Sequence, residues 1–447
     1  MQNHITQPFV GDDCQTAQIV PQIVNKEGRF IYMPEVRDIT LSESGKRKIE
    51  WVENNMPVVG RLEDEFRATK PFAGVRFAVS VHMEAKTARL IKAIRAGGGE
   101  VTAAGCNPLS TQDDVAAALA DEGIEVFAWH DETPDDYRRH LVNALGPAPN
   151  IVIDDGGDLA ALLHTEKRDL TKHVIGGCEE TTTGINRLKI LERDGLLLYP
   201  VIAVNSADSK HLFDNRYGTG QSVWDGINRT TNLIAAGKTV VVAGYGWCGK
   251  GVALRAKGLG AKVVVTEIDP IKATEAWMDG HEVMPMDLAS QIGDIFITVT
   301  GCSKVITKRH FEMMKDGVIL CNAGHFDVEI DIPALEALSA QVVEQRSNIQ
   351  AYVQADGRRL NLLARGRLVN LASGDGHPAE IMDMSFAIQM LSAKYLIENG
   401  GALEKKVVGL PAELDKLVAS YKLESMNVRL DTLTAEQEKY LSSWNLE

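Results

Sequence analysis

The chain has 447 residues, 45% hydrophobic and 24% charged, the balance of a globular protein of two or three domains, which excludes wholesale disorder. Its net charge of −14 argues against a general nucleic-acid or anionic-membrane surface, and no apolar run is long enough to span a bilayer. Six cysteines, Cys14, Cys106, Cys178, Cys248, Cys302 and Cys321, lack paired metal-ligand spacing, and the amino terminus lacks the regions of a signal peptide. Reduced thiols, no metal and a cytoplasmic location are therefore expected.

Residues 1–40 have little periodicity and read as an extension lying on the body. Strands and helices then alternate from Arg76. Residues 77–81 read as a strand, and 84–96 as a helix with Ala88, Ile91 and Ile94 on one side. Residues 100–104 read as the next strand and 113–122 as the next helix, and strands at 124–128, 150–153 and 201–204 continue the series. Strands separated by helices imply a parallel sheet with right-handed crossovers. The region from Lys238 to about Asn370 repeats the theme. The expected fold is α/β, with two doubly wound, parallel-sheet, Rossmann-like domains.

The second domain opens on a glycine turn in full context. Lys238-Thr-Val-Val-Val-Ala243 leads into Gly244-Tyr-Gly-Trp-Cys-Gly249, a helix follows, and a second apolar run, Lys262–Thr266, ends on Glu267. Gly244 permits the sharp turn, Gly246 lets the backbone approach a pyrophosphate, and Gly249 lets helix and strand pack closely. The helix N-terminus faces the phosphates with partial positive charge. Glu267 is placed to accept from the adenosine ribose hydroxyls and to repel a 2′-phosphate, which favours NAD over NADP.

Other strand ends carry ionisable and amide groups. His82, Asp154 with Asp155, Asn205 and His325 each follow a predicted strand, where open α/β sheets bind ligands. Taken singly, a core histidine or a solvated aspartate is the commoner reading; their shared position points to a cleft between the domains. Asp154-Asp-Gly-Gly-Asp158 sets carboxylates against a flexible turn, and Glu179-Glu-Thr-Thr-Thr-Gly184 crowds acids and hydroxyls, a pattern that also suits a helix N-cap. Lys210 and Asp214 are four apart, on one helical face, as many surface pairs are. Composition and spacing lead to an NAD-dependent two-domain protein with an acid-, lysine- and histidine-lined cleft.

Those segments, with Phe213-Asp-Asn215, Tyr217-Gly218, Thr266-Glu-Ile-Asp-Pro270, Cys321-Asn-Ala-Gly-His-Phe-Asp-Val-Glu-Ile-Asp331, Gly366-Arg-Leu-Val-Asn370 and Gly376-His-Pro378, closely resemble the S-adenosyl-L-homocysteine hydrolase (adenosylhomocysteinase) family, in order from about Trp51 to Trp444. The resemblance implies a substrate-binding domain at 41–210 and 379–420, an NAD-binding domain at 221–375 and a C-terminal oligomerisation arm at 421–447, with hinges near 205–221 and 374–380. It implies a cytoplasmic homotetramer of one-carbon metabolism, serving the methyl cycle. NAD stays bound, oxidises the nucleoside 3′-hydroxyl so that the C4′ proton becomes acidic, and is regenerated after homocysteine has left C5′ and water has added.

By motif, the resemblance assigns His82, Asp155, Lys210, Asp214 and His325 to catalysis. Lys210 and Asp214 manage the 3′-hydroxyl proton, with a lowered pKa expected for Lys210; Asp155 is the base at C4′, and His82 assists at C5′. Glu180 holds the ribose hydroxyls, His377 faces the nucleoside and homocysteine side, and His325 with Phe326 borders the substrate channel. Thr181, Thr182, Thr183, Asn215, Asn322 and Asn370 join Gly244, Gly246, Gly249 and Glu267 on the cofactor.

The chain also departs from the family pattern. Thr219 stands where a cysteine is common, so a thiol role there is expected to be absent. Lys272 stands where an asparagine is common, and the Lys-x-x-x-Tyr ending that reaches a neighbour's NAD site is missing. After His82 the adenine-reading pattern gives way to Met83-Glu84-Ala85-Lys86-Thr87. An ammonium has donors and no acceptor, so Lys86 suits the 6-oxo group of hypoxanthine while Glu84 accepts from N1–H. That variant resembles a branch that includes S-inosyl-L-homocysteine hydrolases; a Lys86 turned to solvent or paired with Glu84 leaves adenine as the base, which heads the expectation. A catalytically silent NAD-binding regulator would replace Lys210, Asp214, Asp155 or His82, and none is replaced. An ordinary dehydrogenase would instead release NADH.

Overall fold

Two eight-stranded sheets organise the computed structural model, which describes residues 33–444 and the backbone of two short strands, Ile23–Val24 and Phe30–Ile31. Most of the 1–40 extension lies outside the described residues. The first sheet runs Val407–Val408, Val201–Ala203, Gly176–Glu179, Ile151–Asp154, Arg76–Ser80, Glu100–Ala104, Glu125–Ala128, Glu35–Val36, and each of these neighbours pairs in parallel. Strand order reverses between Arg76–Ser80 and Ile151–Asp154. Their carboxyl ends, which lead to His82 and Asp155, therefore flank the switch point where ligands bind.

Both faces of this sheet are covered, which explains the near-continuous apolar strands. Phe77, Val79, Val101 and Ile151 enter one core, while Ala78, Ala104 and Val152 enter another on the opposite face. The strand Gly176–Glu179 has no apolar run to announce it. Its glycines have a packing cause: a Cβ on Gly176 would lie 2.6 Å from Leu396 Cδ2, and one on Gly177 would lie 3.2 Å from Tyr199 Cε2.

The second sheet runs Glu282–Val283, Lys262–Thr266, Thr239–Ala243, Ile295–Thr298, Val318–Asn322, Arg359–Leu363, then Ile349–Gln354 and Ser339–Arg346. The last two strands are antiparallel, a hairpin edge with register shifts on an otherwise parallel sheet. Here too the order reverses beside the strand that feeds the glycine turn, between Thr239–Ala243 and Ile295–Thr298.

Helix Ala379–Asn399 returns to the first sheet and buries Met382, Phe386, Met390 and Leu396 in its core. Its Asp383 carboxylate accepts from the Val58 and Val59 N–H groups at 3.2 and 2.9 Å, capping helix Pro57–Thr69, and pairs with Lys422 at 3.1 Å. Helix Ala412–Ser425 continues across residue 420, so no structural break marks the expected start of the arm. Helix Ala435–Ser442 follows, with Leu430, Leu433, Leu441 and Trp444 exposed. Among the described residues no helix is long and apolar enough to cross a membrane.

Candidate active site

The glycine turn has the expected backbone. Gly244 adopts φ +100°, and a Cβ on Gly249 would lie 2.0 Å from the Gly244 carbonyl oxygen, so both positions exclude a side chain. A Cβ on Gly246 would meet nothing within 4 Å among the described residues; the turn faces open space there. Helix Trp247–Gly258 starts at this point with no side-chain cap, leaving its first N–H groups for an anion. Glu267 accepts from Tyr245 N–H at 2.7 Å and from Ile268 and Asp269 N–H at 2.7 and 3.1 Å, which fixes its carboxylate at the mouth of the turn. Lys272 lies 3.8 Å from Asp269 Oδ2. Asn370 donates to Ser222 Oγ at 3.2 Å, while its Oδ1 is buried without a partner among the described residues. An open glycine cradle, an uncapped helix start, an acid at the ribose position and an unpartnered amide oxygen fit NAD.

The other expected cofactor contacts differ among themselves. Thr181 caps helix Thr182–Arg193, accepting from Gly184 N–H at 3.1 Å, so its hydroxyl has the structural role of an N-cap. Thr182 Oγ1 accepts from Asn205 at 2.8 Å, and Thr183 Oγ1 turns toward Gly301, where a Cβ would lie 3.6 Å away. Asn215 Oδ1 accepts from Lys210 Nζ at 3.0 Å, which commits it to the lysine. Asn322 is a brace: its amide donates to the Gly324, Phe326 and Gly366 carbonyls, and its oxygen accepts from Gly324 N–H and Thr298 Oγ1. Asn215 and Asn322 are buried, and their amide oxygens are engaged by protein donors.

Across the cleft, the first sheet and the second meet at Asp155. His82 Nε2 lies 3.3 Å from Asp155 Oδ2, and His325 Nδ1 lies 3.7 Å from Oδ1. The His325 ring sits over Gly156, where a Cβ would come within 2.2 Å of Nε2 and where φ is +101°. Asp155 Oδ1 and His325 Nε2 are both buried without hydrogen-bond partners among the described residues. Burial pushes His82 down to about 4 despite Asp155, so the imidazole is neutral at neutral pH. Cys106 and Ser110, which carry no sequence signal, complete the group. Ser110 Oγ and Cys106 Sγ lie 2.8 and 3.2 Å from His82 Nδ1, and the thiol is pushed up by burial and by Asp155.

Lys210 is the centre of a second group. It ends the short helix Asp208–Lys210, whose first N–H groups are capped by Asp415 at 2.6 and 2.9 Å, and a π-helical stretch, His211–Gly218, follows. Nζ donates to Asn205 and Asn215 at 3.0 Å each and lies 3.3 Å from Glu180 and 3.4 Å from Asp214. Burial alone would lower this ammonium, but the Asp214 and Glu180 carboxylates outweigh it and hold its pKa above the ordinary value. The lowered value expected from sequence is thus reversed in the protein alone. Asp214 is pushed up by burial and, more strongly, down by Lys210 and by His377, whose Nδ1 lies 2.7 Å away. Glu180, bound by Gln389 at 2.5 Å, is raised by burial to about 7. Thr219 donates to Cys248 Sγ at 3.5 Å, so a thiol absent from position 219 is present beside it.

Glu84 and Lys86 pair with each other. Glu84 caps helix Ala85–Ala96 by accepting from Lys86 N–H at 2.9 Å, and its Oε2 is 2.7 Å from Lys86 Nζ. The ammonium also donates to the Asp375 carbonyl at 2.6 Å, two residues before His377. Both side chains are buried, so the solvent-facing alternative for Lys86 is excluded.

Two family models match the chain: S-adenosyl-L-homocysteine hydrolase over residues 33–175 and S-adenosyl-L-homocysteine hydrolase, NAD binding domain over residues 215–376. An adenosylhomocysteinase of Thermococcus kodakarensis is 57% identical, across 92% of this chain and 97% of the relative. The chain belongs to the S-adenosyl-L-homocysteine hydrolase family. It is an NAD-binding hydrolase of that family, and the sheet carrying the glycine turn lies in the family's NAD-binding domain. An adenosylhomocysteinase of Pyrococcus abyssi is 56% identical over 92% of this chain and 97% of its own length. An S-inosyl-L-homocysteine hydrolase of Methanocaldococcus jannaschii is 55% identical over 92% of this chain and 99% of its own. Overall identity therefore does not separate the two nucleobases.

Proposed function

We propose that the chain catalyses the reversible hydrolysis of S-adenosyl-L-homocysteine to adenosine and L-homocysteine through a 3′-keto intermediate. The observation that carries this reading is the division of the cleft into two groups. Lys210 and Asp214, on the segment packed against the glycine-turn helix, form one with Glu180 and His377; Asp155, His82 and His325 form the other. A thioether leaves poorly until a carbanion on the adjacent carbon expels it, so two separately placed sets of proton-handling groups suit the chemistry.

Held at the turn of Gly244, Gly246 and Gly249 with Glu267 at its mouth, NAD would supply reversible hydride acceptance at C3′. Lys210, with Asp214 and His377 beside it, handles the 3′-hydroxyl proton. Asp155, whose buried Oδ1 has no hydrogen bond among the described residues, abstracts the C4′ proton. Neutral His82 serves the sulfur or the attacking water at C5′. Glu180 orients the ribose hydroxyls, and His325 with Phe326, whose rings meet edge to face at 4.7 Å, lines the channel.

A second reading, S-inosyl-L-homocysteine as substrate, is favoured by the buried Glu84–Lys86 pair. Lys86 uses two donors on Glu84 and Asp375 and keeps a third for a 6-oxo group. The reading further includes a cytoplasmic homotetramer with the exposed apolar residues of the 421–447 arm as contact surface, and domain boundaries at 41–210 with 379–420 and at 221–375. Incubation with S-adenosyl-L-homocysteine tests it: adenosine and homocysteine in equal amounts support the reaction, and absence of free homocysteine contradicts it. Light scattering tests the assembly, and a fully active monomer contradicts it.

A further inference from the structure

Glu179 has no part in the chemistry above, yet it is fully buried beside it. It ends strand Gly176–Glu179 and stands opposite Asp154 in the parallel register of the neighbouring strand. Its Oε1 accepts from Gly156 N–H at 2.9 Å, Thr181 N–H at 3.0 Å and Thr181 Oγ1 at 2.8 Å. A Cβ on Gly184 would lie 2.1 Å from the Glu179 carboxyl carbon, so the helix start is open to the carboxyl and to nothing larger. One carboxyl therefore ties the turn that follows Asp155 to the turn that opens helix Thr182–Arg193. That second turn continues through Thr182 to Asn205 and on to Lys210.

We propose that Glu179 is a positioning residue that sets Asp155 against the C4′ proton by locking the Gly156 turn to the Thr181 cap. The inference rests on the reading of Asp155 as the C4′ base. Its physical basis is that the Asp155 carboxylate is weakly held among the described residues: Oδ1 has no hydrogen bond and lies 3.7 Å from His325 Nδ1, and Oδ2 contacts His82 and a weak thiol donor at 3.4 Å. Only the peptide N–H of Asp155 is anchored, on Asp154 Oδ1 at 3.1 Å. The peptide N–H of Gly156 follows Asp155 directly, so moving the acceptor moves the base. A loss of ~1 Å in placement costs up to ~100-fold in rate.

Burial, with Asp154 and Asp155 beside it, pushes Glu179 well above the ordinary carboxyl range, and its Oε2 is buried without a partner among the described residues. All three contacts are to Oε1, so the side chain acts through a single acceptor oxygen. A glutamine keeps the acceptor oxygen at the same reach; the phenol oxygen of Tyr199, buried and likewise unpartnered among the described residues, lines the same small cavity and can take its N–H. An aspartate falls one methylene short.

The test uses the full-length holoenzyme and follows exchange of the C4′ proton of bound nucleoside into deuterated water, alongside formation of bound NADH. For Glu179→Asp, exchange is expected to slow by about tenfold or more while 3′-oxidation and KM stay within about threefold of wild type. Glu179→Gln is expected to restore exchange to within about threefold of wild type. Normal exchange in Glu179→Asp, or equal loss of oxidation and exchange, overturns the inference, as does a folded Glu179→Gln no better than Glu179→Asp. If either variant fails to fold, the other still decides through its own exchange-to-oxidation ratio. Absence of exchange in the wild-type protein would instead remove the base role of Asp155 on which the inference stands.

Discussion

Nζ of Lys210 lies 3.4 Å from Oδ2 of Asp214, in a buried pocket whose second carboxylate, Glu180, is 3.3 Å away. The pair that looked like an ordinary i, i+4 surface ion pair in sequence is enclosed, and it raises the lysine above its free value. For the lysine to act as a base, its proton must have somewhere to go, and of the two carboxylates within reach Glu180, raised to about 7, is a better acceptor than Asp214, which Lys210 and His377 hold low. Lys210→Ala is expected to retain NAD and to lose 3′-oxidation by ~10²–10⁴-fold. Rapid-mixing absorbance of bound NADH reads this; formation at the wild-type rate removes the assigned role.

Replacing Asp155 by Asn separates the two halves of the site. The carboxamide keeps the shape but cannot take a proton. Bound NADH should form within about tenfold of the normal rate, while C4′ exchange falls by ~10²-fold or more. Loss of NAD from this variant would show that Asp155 is structural.

His82 predicts a pH effect on stability. Unfolded, the imidazole takes a proton near its ordinary value; folded, it stays neutral until about 4. Between those values the unfolded chain binds more protons, so this contribution is complete above the unfolded pKa and is lost as pH falls through the folded one. The side chain is 15% exposed, which discounts the full effect to roughly 1–3 kcal/mol. Melting curves should show His82→Gln gaining on wild type as pH falls from neutral toward 4. A constant difference across that range would mean that His82 is not held neutral.

The Glu84–Lys86 pair gives a nucleobase prediction. With adenine as the base, kcat/KM for S-adenosyl-homocysteine exceeds that for the inosyl compound, and Lys86→Met leaves the ratio nearly unchanged because Lys86 serves only Glu84 and Asp375. A preference of about tenfold or more for the inosyl compound, ~1.4 kcal/mol, would reverse the assignment. Collapse of that preference in Lys86→Met would then identify the ammonium as the reader of the 6-oxo group.

Much of this arrangement is legible in sequence because parallel strands buried on both faces leave apolar runs, and the residues just after them mark the ligand edge. The runs around Phe77, Ile151 and Val240, and the turn at Gly244, are of this kind. Strand Gly176–Glu179 is not, since close packing by Leu396 and Tyr199 demands glycine where a strand signal would need branched side chains. Partners brought from afar are equally silent: Gln389 reaches Glu180 across 209 residues, and Ser385 reaches Asp214 across 171. Cys248 is a related case. The motif comparison placed the thiol question at Thr219, whereas packing of the glycine-turn helix delivers the sulfur 3.5 Å from that hydroxyl.

Single-turnover mixing of the holoenzyme with S-adenosyl-L-homocysteine, following bound NADH and free homocysteine together, tests the central claim most directly. The account predicts that NADH rises and then falls back while homocysteine reaches about one equivalent per site, because the oxidation is reversed within each turnover. Steady accumulation of released NADH, or homocysteine appearing with no NADH transient at all, would contradict it.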